Sequence, residues 1–201
     1  MGLRGIPETQ IFFKDLEILE EMALIPPEGL QRGFAGLMNA YNGQRVGAGT
    51  VAMGIAAGAY ELALDFSRER NQFGRPIFEF QGLQWMLADM HIQIEAARLL
   101  LRKAAARNSE SSGNGNGFPD MLEAAQAKIF ASEMAIKVPN DALQIFGSSG
   151  YSRNFPLERM ARDARMFTIG GGTAQILRTV VASVLLKKKL PQTRDGYSKQ
   201  G

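Results

Sequence analysis

The chain has 201 residues, 45% apolar and 21% charged, with a net charge of +3; it is long enough for one cored domain, or one domain plus part of another, and too apolar for disorder. Zero cysteines exclude a disulfide scaffold, a thiolate zinc site, an iron–sulfur cluster and a cysteine nucleophile, and a single histidine, His91, excludes a multi-histidine metal site. No run approaches the roughly eighteen apolar residues of a membrane span, no signal peptide precedes the first element, and basic residues mostly sit beside acids, so neither a membrane nor a nucleic-acid partner is expected.

Residues 10–18 (QIFFKDLEI) are β-prone and predict a strand running into a loop, with a turn near Pro26, Pro27 and Gly29. From Leu30 helix formers take over. Residues 30–70 predict one long helix, possible to interrupt near Asn42–Gly43. Its glycines at 47, 49, 54 and 58 cost helix stability but suit close approach of a second helix or a ligand. Residues 71–80 predict a loop. Leu83, Met86, Leu87, Met90, Ile94, Ala97, Leu101 and Ala104 then mark an amphipathic helix. Residues 109–117 read as a flexible connection. A third helix starts near Pro119, with Leu122, Ala125, Ile129, Ile136 and Leu143 on its apolar face and a bend at Pro139. A Gly–Ser break at 147–150, a short helix over 156–167, a triglycine break and a last helix over 173–190 follow, with Thr173 at an N-cap and Lys187–Lys189 suiting the C-terminal dipole. The sum predicts an all-α, antiparallel four-helix bundle preceded by a short strand.

Three segments carry the candidate chemistry: residues 68–81 (RERNQFGRPIFEFQ), 144–159 (QIFGSSGYSRNFPLER) and 169–178 (IGGGTAQILR). Each alone is compatible with an ordinary turn beside a helix. In this order and on these helices, they resemble the C-terminal helical domain of the acyl-CoA dehydrogenase family. The resemblance implies residues 1–28 as the tail of a middle β domain plus linker, 29–190 as the bundle and 191–201 as a flexible tail.

The resemblance also implies FAD and an acyl-CoA thioester substrate. It places Arg70, Gln72, Phe73, Gln81, Gln144, Gly147 and Ser148 near the flavin of a partner subunit, and Thr173 and Gln175 near the chain's own. Guanidinium forks and free helix-start N–H groups suit a pyrophosphate. Asn42, Arg45 and Gly172 fall at the substrate. A homodimer or homotetramer, a possible electron-transfer partner, and a bacterial cytoplasmic or mitochondrial matrix location follow from the same resemblance.

One departure bears on chemistry. The family removes the substrate's α proton with a glutamate at one of two positions, which here are Gly171 and Gln44. Neither is a carboxylate, and a neutral amide cannot act as that base. Three readings follow: dehydrogenation with a base supplied elsewhere, placed first; a non-dehydrogenating relative such as a sulfinopropionyl-CoA desulfinase; or a non-catalytic oligomerisation module. His91 reads as packed or interfacial, and Glu61, Glu95, Glu133 and Asp141 as solvated or paired.

Overall fold

The computed structural model describes residues 1–26, 29–106 and 117–190. Helix α1 (Gly33–Glu69) follows a 3-10 turn and runs without a break past Asn42 and Gly43. A hairpin of β1 (Asn71–Gln72) and β2 (Arg75–Pro76) leads to α2 (Gln81–Ala106). Helix α3 (Met121–Phe146) is followed by α4 (Ser148–Tyr151), α5 (Leu157–Ala164) and α6 (Ala174–Leu185). The expected helical architecture holds. The predicted flexible connection lies outside the described residues except for Gly117, and so does the predicted C-terminal tail.

Alanines dominate the α1 core. Ala52, Ala56, Ala59 and Ala63 recur at steps of four, three and four, and each is 0% exposed. That spacing lays one narrow stripe against α3. At Gly49 the backbones come close: a Cβ there would lie 2.8 Å from a Leu101 methyl and 3.6 Å from the Lys128 Cα. Gly47 and Gly54, by contrast, have open space beside them. The α2 stripe is as the periodicity predicts, with Met90, Ile94, Ala97, Leu101 and Ala104 buried.

Helix α3 departs from its predicted face. Of the predicted set only Ala125 is fully buried; Leu122, Ile129, Ile136 and Leu143 are half-buried, whereas Ala124, Ala127, Lys128, Ala131, Met134 and Val138 are buried. The reason is that α3 is the central helix, packed by α1, α2, α5 and α6, so its small residues face the interior on several sides. Pro139 lies inside the unbroken helix. Asp120, beside the expected start at Pro119, is the N-cap: its Oδ1 accepts from Leu122 N at 2.9 Å and Glu123 N at 3.1 Å. Asp120→Ala is expected to lower stability by about 1 kcal/mol, read as a lower unfolding midpoint with unchanged helix content.

Three further expectations are corrected. No strand forms in described residues 1–26, because a strand needs a neighbour for its hydrogen-bond ladder and the chain brings none to residues 10–18. Ile11, Phe12, Phe13 and Leu16 there are exposed. The last helix ends at Leu185, so Lys187, with φ 50°, and its two neighbours lie past it. Finally, one helix, Leu30–Glu69, is long and apolar enough to cross a membrane by length and composition; its apolar content includes the alanine stripe that packs the bundle core.

Candidate functional site

The hairpin between α1 and α2 turns on Phe73 (φ 53°) and Gly74 (φ 78°), both left-handed, the geometry of a two-residue hairpin turn. It raises Gln72 and Phe73 beside Arg70. On the other side, α3 ends at Gly147 (φ 59°). Between them lies an open groove of about 370 Å³. Six of the predicted residues line it: Arg70, Gln72, Phe73, Gln144, Gly147 and Ser148. Its floor is aromatic, with Phe66 stacked on Phe146 at 4.0 Å between ring centroids. The Arg70 guanidinium is exposed and has no ion-pair or hydrogen-bond partner among the described residues. Gln81 does not line the groove; it is exposed at the first position of α2.

A second cleft, about 280 Å³, opens between α3 and α6 and is lined by Thr173 and Gln175 together with Glu133 and Arg165. Thr173 is the N-cap of α6, its Oγ1 accepting from Ile176 N at 3.2 Å. Gly171 (φ 69°) and Gly172 (φ 95°) precede it in conformations that favour glycine. The N–H groups of Gly171, Gly172 and Thr173 have no hydrogen-bond partner among the described residues. Successive free donors at a helix start make a place where negative charge is stabilised.

The third group joins α1 to this loop. Arg45 Nη1 donates to Asn42 Oδ1 at 2.7 Å, and both residues are buried. Arg45 Nε is buried without a hydrogen-bond partner among the described residues. Lys128, on α3 and 0% exposed, donates from Nζ to the Gly172 carbonyl at 2.7 Å. Burial first, and then the charge of Arg45, push the Lys128 ammonium down to about 8. Burial also lowers Arg45 from its usual value, with Tyr41 opposing. Lys128 therefore ties α3 to the loop that carries Gly171, and the charge that acts on it is that of Arg45, the residue after Gln44. Gln44 itself is exposed.

Lys128 was not singled out from the sequence. Its signal was a cation within the run of small residues Ala124, Ala125, Ala127 and Ala131, where a solvated lysine has no place. The lowered value has a consequence for stability. The unfolded chain holds the proton up to about pH 10.4, the folded one only to about 8. Below 8 the cost is fully present, and it is relieved as pH rises, since there the unfolded state binds more protons. The stability of the native protein is therefore expected to rise relative to Lys128→Met between pH 8 and 10 in denaturant titrations.

The remaining charges are structural. Arg162 grips Glu158 with two bonds of 2.8 and 2.9 Å and donates to the Met1 carbonyl at 2.6 Å, while Asp163 Oδ1 accepts from Leu3 N at 2.6 Å. Glu95 pairs with Arg98, Asp141 with Lys137 and Glu133 with Arg178, and the Arg178 hydrogen bond holds the Glu133 carboxyl below its usual range. Glu61 is exposed. His91 is exposed rather than packed inside, its ring 5.7 Å from that of Tyr60. No group of three or more metal-ligating side chains occurs among the described residues.

The helical bundle thus carries an open groove lined by Arg70 at one turn and a glycine loop with unpartnered N–H donors, among the described residues, at another. Residues 31–186 match the family model described as acyl-CoA dehydrogenase, C-terminal domain. The chain is 66% identical over 199 residues to a 3-sulfinopropanoyl-CoA desulfinase of Variovorax paradoxus, covering 99% of this chain and 48% of that protein. It is 64% identical over 197 residues to the enzyme of that name from Cupriavidus necator, covering 98% and 48%. Among solved structures it is similar to butyryl-CoA dehydrogenase from Megasphaera elsdenii, with TM-score 0.71 and 41% identity over 77% of this chain and 39% of that one. The chain belongs to the acyl-CoA dehydrogenase family, as its C-terminal helical domain, and spans about half the length of the curated relatives it matches.

Proposed function

We propose that the protein is an FAD-binding enzyme acting on an acyl-CoA thioester, and that its reaction is removal of sulfite from a β-sulfinated thioester. The observation that carries this reading is the absence of a carboxylate at both positions, Gln44 and Gly171. Similarity to two desulfinases at 64–66% identity supports it. Desulfination and dehydrogenation both lie within the family; this similarity moves the weight toward the first.

The balance explains why the missing base is tolerable. Dehydrogenation must send an α proton to a base and a β hydride to an acceptor. Desulfination breaks the Cβ–S bond and forms a C–H bond. One water is consumed, its oxygen leaves on sulfur as hydrogen sulfite, and the electrons stay within the reacting pair. No α-proton base and no external acceptor enter the balance.

The residues fit a flavin dinucleotide: an unpaired Arg70 beside an aromatic-floored groove, and free N–H groups ahead of α6. In this proposal Arg70, Gln72, Phe73, Gln144, Gly147 and Ser148 hold the FAD of a partner subunit in a dimer or tetramer. Thr173 and Gln175 hold the chain's own FAD. Bound FAD supplies the hydride acceptor of the family's dehydrogenation. Asn42 and Arg45 lie on the substrate side, and the Gly171 N–H polarises the thioester carbonyl.

Two measurements test the reading on the full-length protein. Sulfite release from a 3-sulfinoacyl-CoA without added electron acceptor is the expected result; acceptor-dependent oxidation of a saturated acyl-CoA with no sulfite release would overturn it in favour of dehydrogenation. Arg70→Ala is expected to cut flavin absorbance per polypeptide several-fold without changing helix content, because it removes a charge-assisted bidentate donor. A full-length protein that never takes up flavin would point to an assembly module.

A further inference from the structure

We propose that Lys128 is a positioning residue for the reaction: it holds the Gly172 carbonyl from behind and so fixes the loop before α6 with its free N–H groups turned to the ligand. The inference rests on the proposed thioester chemistry for its consequence, though not for its geometry. A lysine with 0% exposure is rare unless it is paired, and Lys128 has no carboxylate partner among the described residues. Its one hydrogen bond, 2.7 Å, goes to a carbonyl 44 residues away in sequence.

The place of that bond matters more than its strength. Gly171 and Gly172 both have positive φ, in a loop that glycine leaves free to rotate. Without a tether, peptide rotation there would be cheap. The Lys128 ammonium takes the Gly172 carbonyl, while the N–H groups of Gly171, Gly172 and Thr173 stay without partners among the described residues. On the other side a Cβ at Gly172 would lie 3.3 Å from a Leu177 methyl. The loop is thus held between an ammonium and a leucine.

Position also explains why a cation stands there. The Lys128 backbone packs against α1 at Gly49, and both Lys128 and Arg45 are buried, with the charge of Arg45 acting against that of Lys128. This arrangement costs stability. It gives a positive potential behind the loop, which adds to the α6 N-terminus for an oxygen gaining negative charge in front of it.

The test uses the full-length flavoprotein. In Lys128→Met, amide exchange of the peptide covering residues 166–177 is expected to rise by about 10-fold or more, with α2 and the rest of α3 still protected. Turnover of a 3-sulfinoacyl-CoA per bound flavin is expected to fall by roughly 10–100-fold, with KM within about 3-fold of its starting value. Unchanged loop exchange, or unchanged turnover per flavin, overturns the inference; so does a raised KM at constant kcat, which would mark simple ground-state binding. Should the methionine variant not fold, Lys128→Arg keeps the cation and is expected to keep loop protection and most of kcat, and a folded arginine variant with a deprotected loop overturns the inference. If the unaltered protein turns over no sulfinated thioester, the proposed reaction fails, and loop exchange alone decides the role of Lys128.

Discussion

Gln44→Glu in the full-length protein is expected to raise acyl-CoA dehydrogenation by roughly 10²–10⁴-fold, the usual contribution of a positioned base. Gln44 is exposed on α1, next to the buried Arg45, so the exchange adds one ionisable oxygen without repacking the interior. Gly171→Glu is expected to gain less. A Cβ there meets open space, but φ is 69°, and a non-glycine residue pays roughly 1–2 kcal/mol in that region. The measurement is acceptor reduction by a saturated acyl-CoA, with sulfite release followed in parallel. No gain from either variant would mean that proton removal is not what limits dehydrogenation.

Gly150→Ala is expected to be the most damaging small substitution in the bundle. Gly150 is buried in α4, and a Cβ would meet the Leu143 carbonyl oxygen at 2.5 Å and the Phe146 Cβ at 2.9 Å. The first of these is backbone, so the turn after α3 must move rather than a side chain rotate. Overpacking of this kind costs about 1–3 kcal/mol, or about 2–4 °C in the unfolding midpoint per kcal/mol for a unit of this size. Because Gln144, Gly147 and Ser148 line the Arg70 groove, flavin content should fall with it. Gly54→Ala provides the contrast: it lies in the α1 interior with nothing within 4 Å, and is expected to stabilise by about 0.4–1 kcal/mol. If both alanines behave alike, the close approach at Gly150 is not real.

The groove residues were legible in the sequence through the family resemblance, which fixed them at two turns, residues 70–73 and 144–148; turn chemistry alone would have read both as ordinary helix connections. Gln81, placed with them by the same resemblance, lies outside the groove lining and is exposed at the start of α2. The strand expected over residues 10–18 was read from local propensity alone, and propensity cannot supply the neighbouring strand it needs. The α3 face was misjudged because large apolar residues dominate a periodicity count, whereas alanines fill a site crowded by four neighbouring helices.

Sequence alone determined the helices, their order, the turns that carry Arg70, Gln144 and Thr173, and the lack of a carboxylate at residues 44 and 171. These are local properties: 3.6-residue spacing, glycine and proline punctuation, and the identity of a side chain. Tertiary structure alone decided that Lys128 lies under the Gly172 carbonyl, that Arg45 is buried as well, and that Gly150 admits no larger residue without a backbone shift. Each of those depends on which helix faces which. The distances that separate a solvated lysine from a buried tether are set between segments 44 residues apart, across which no local pattern extends.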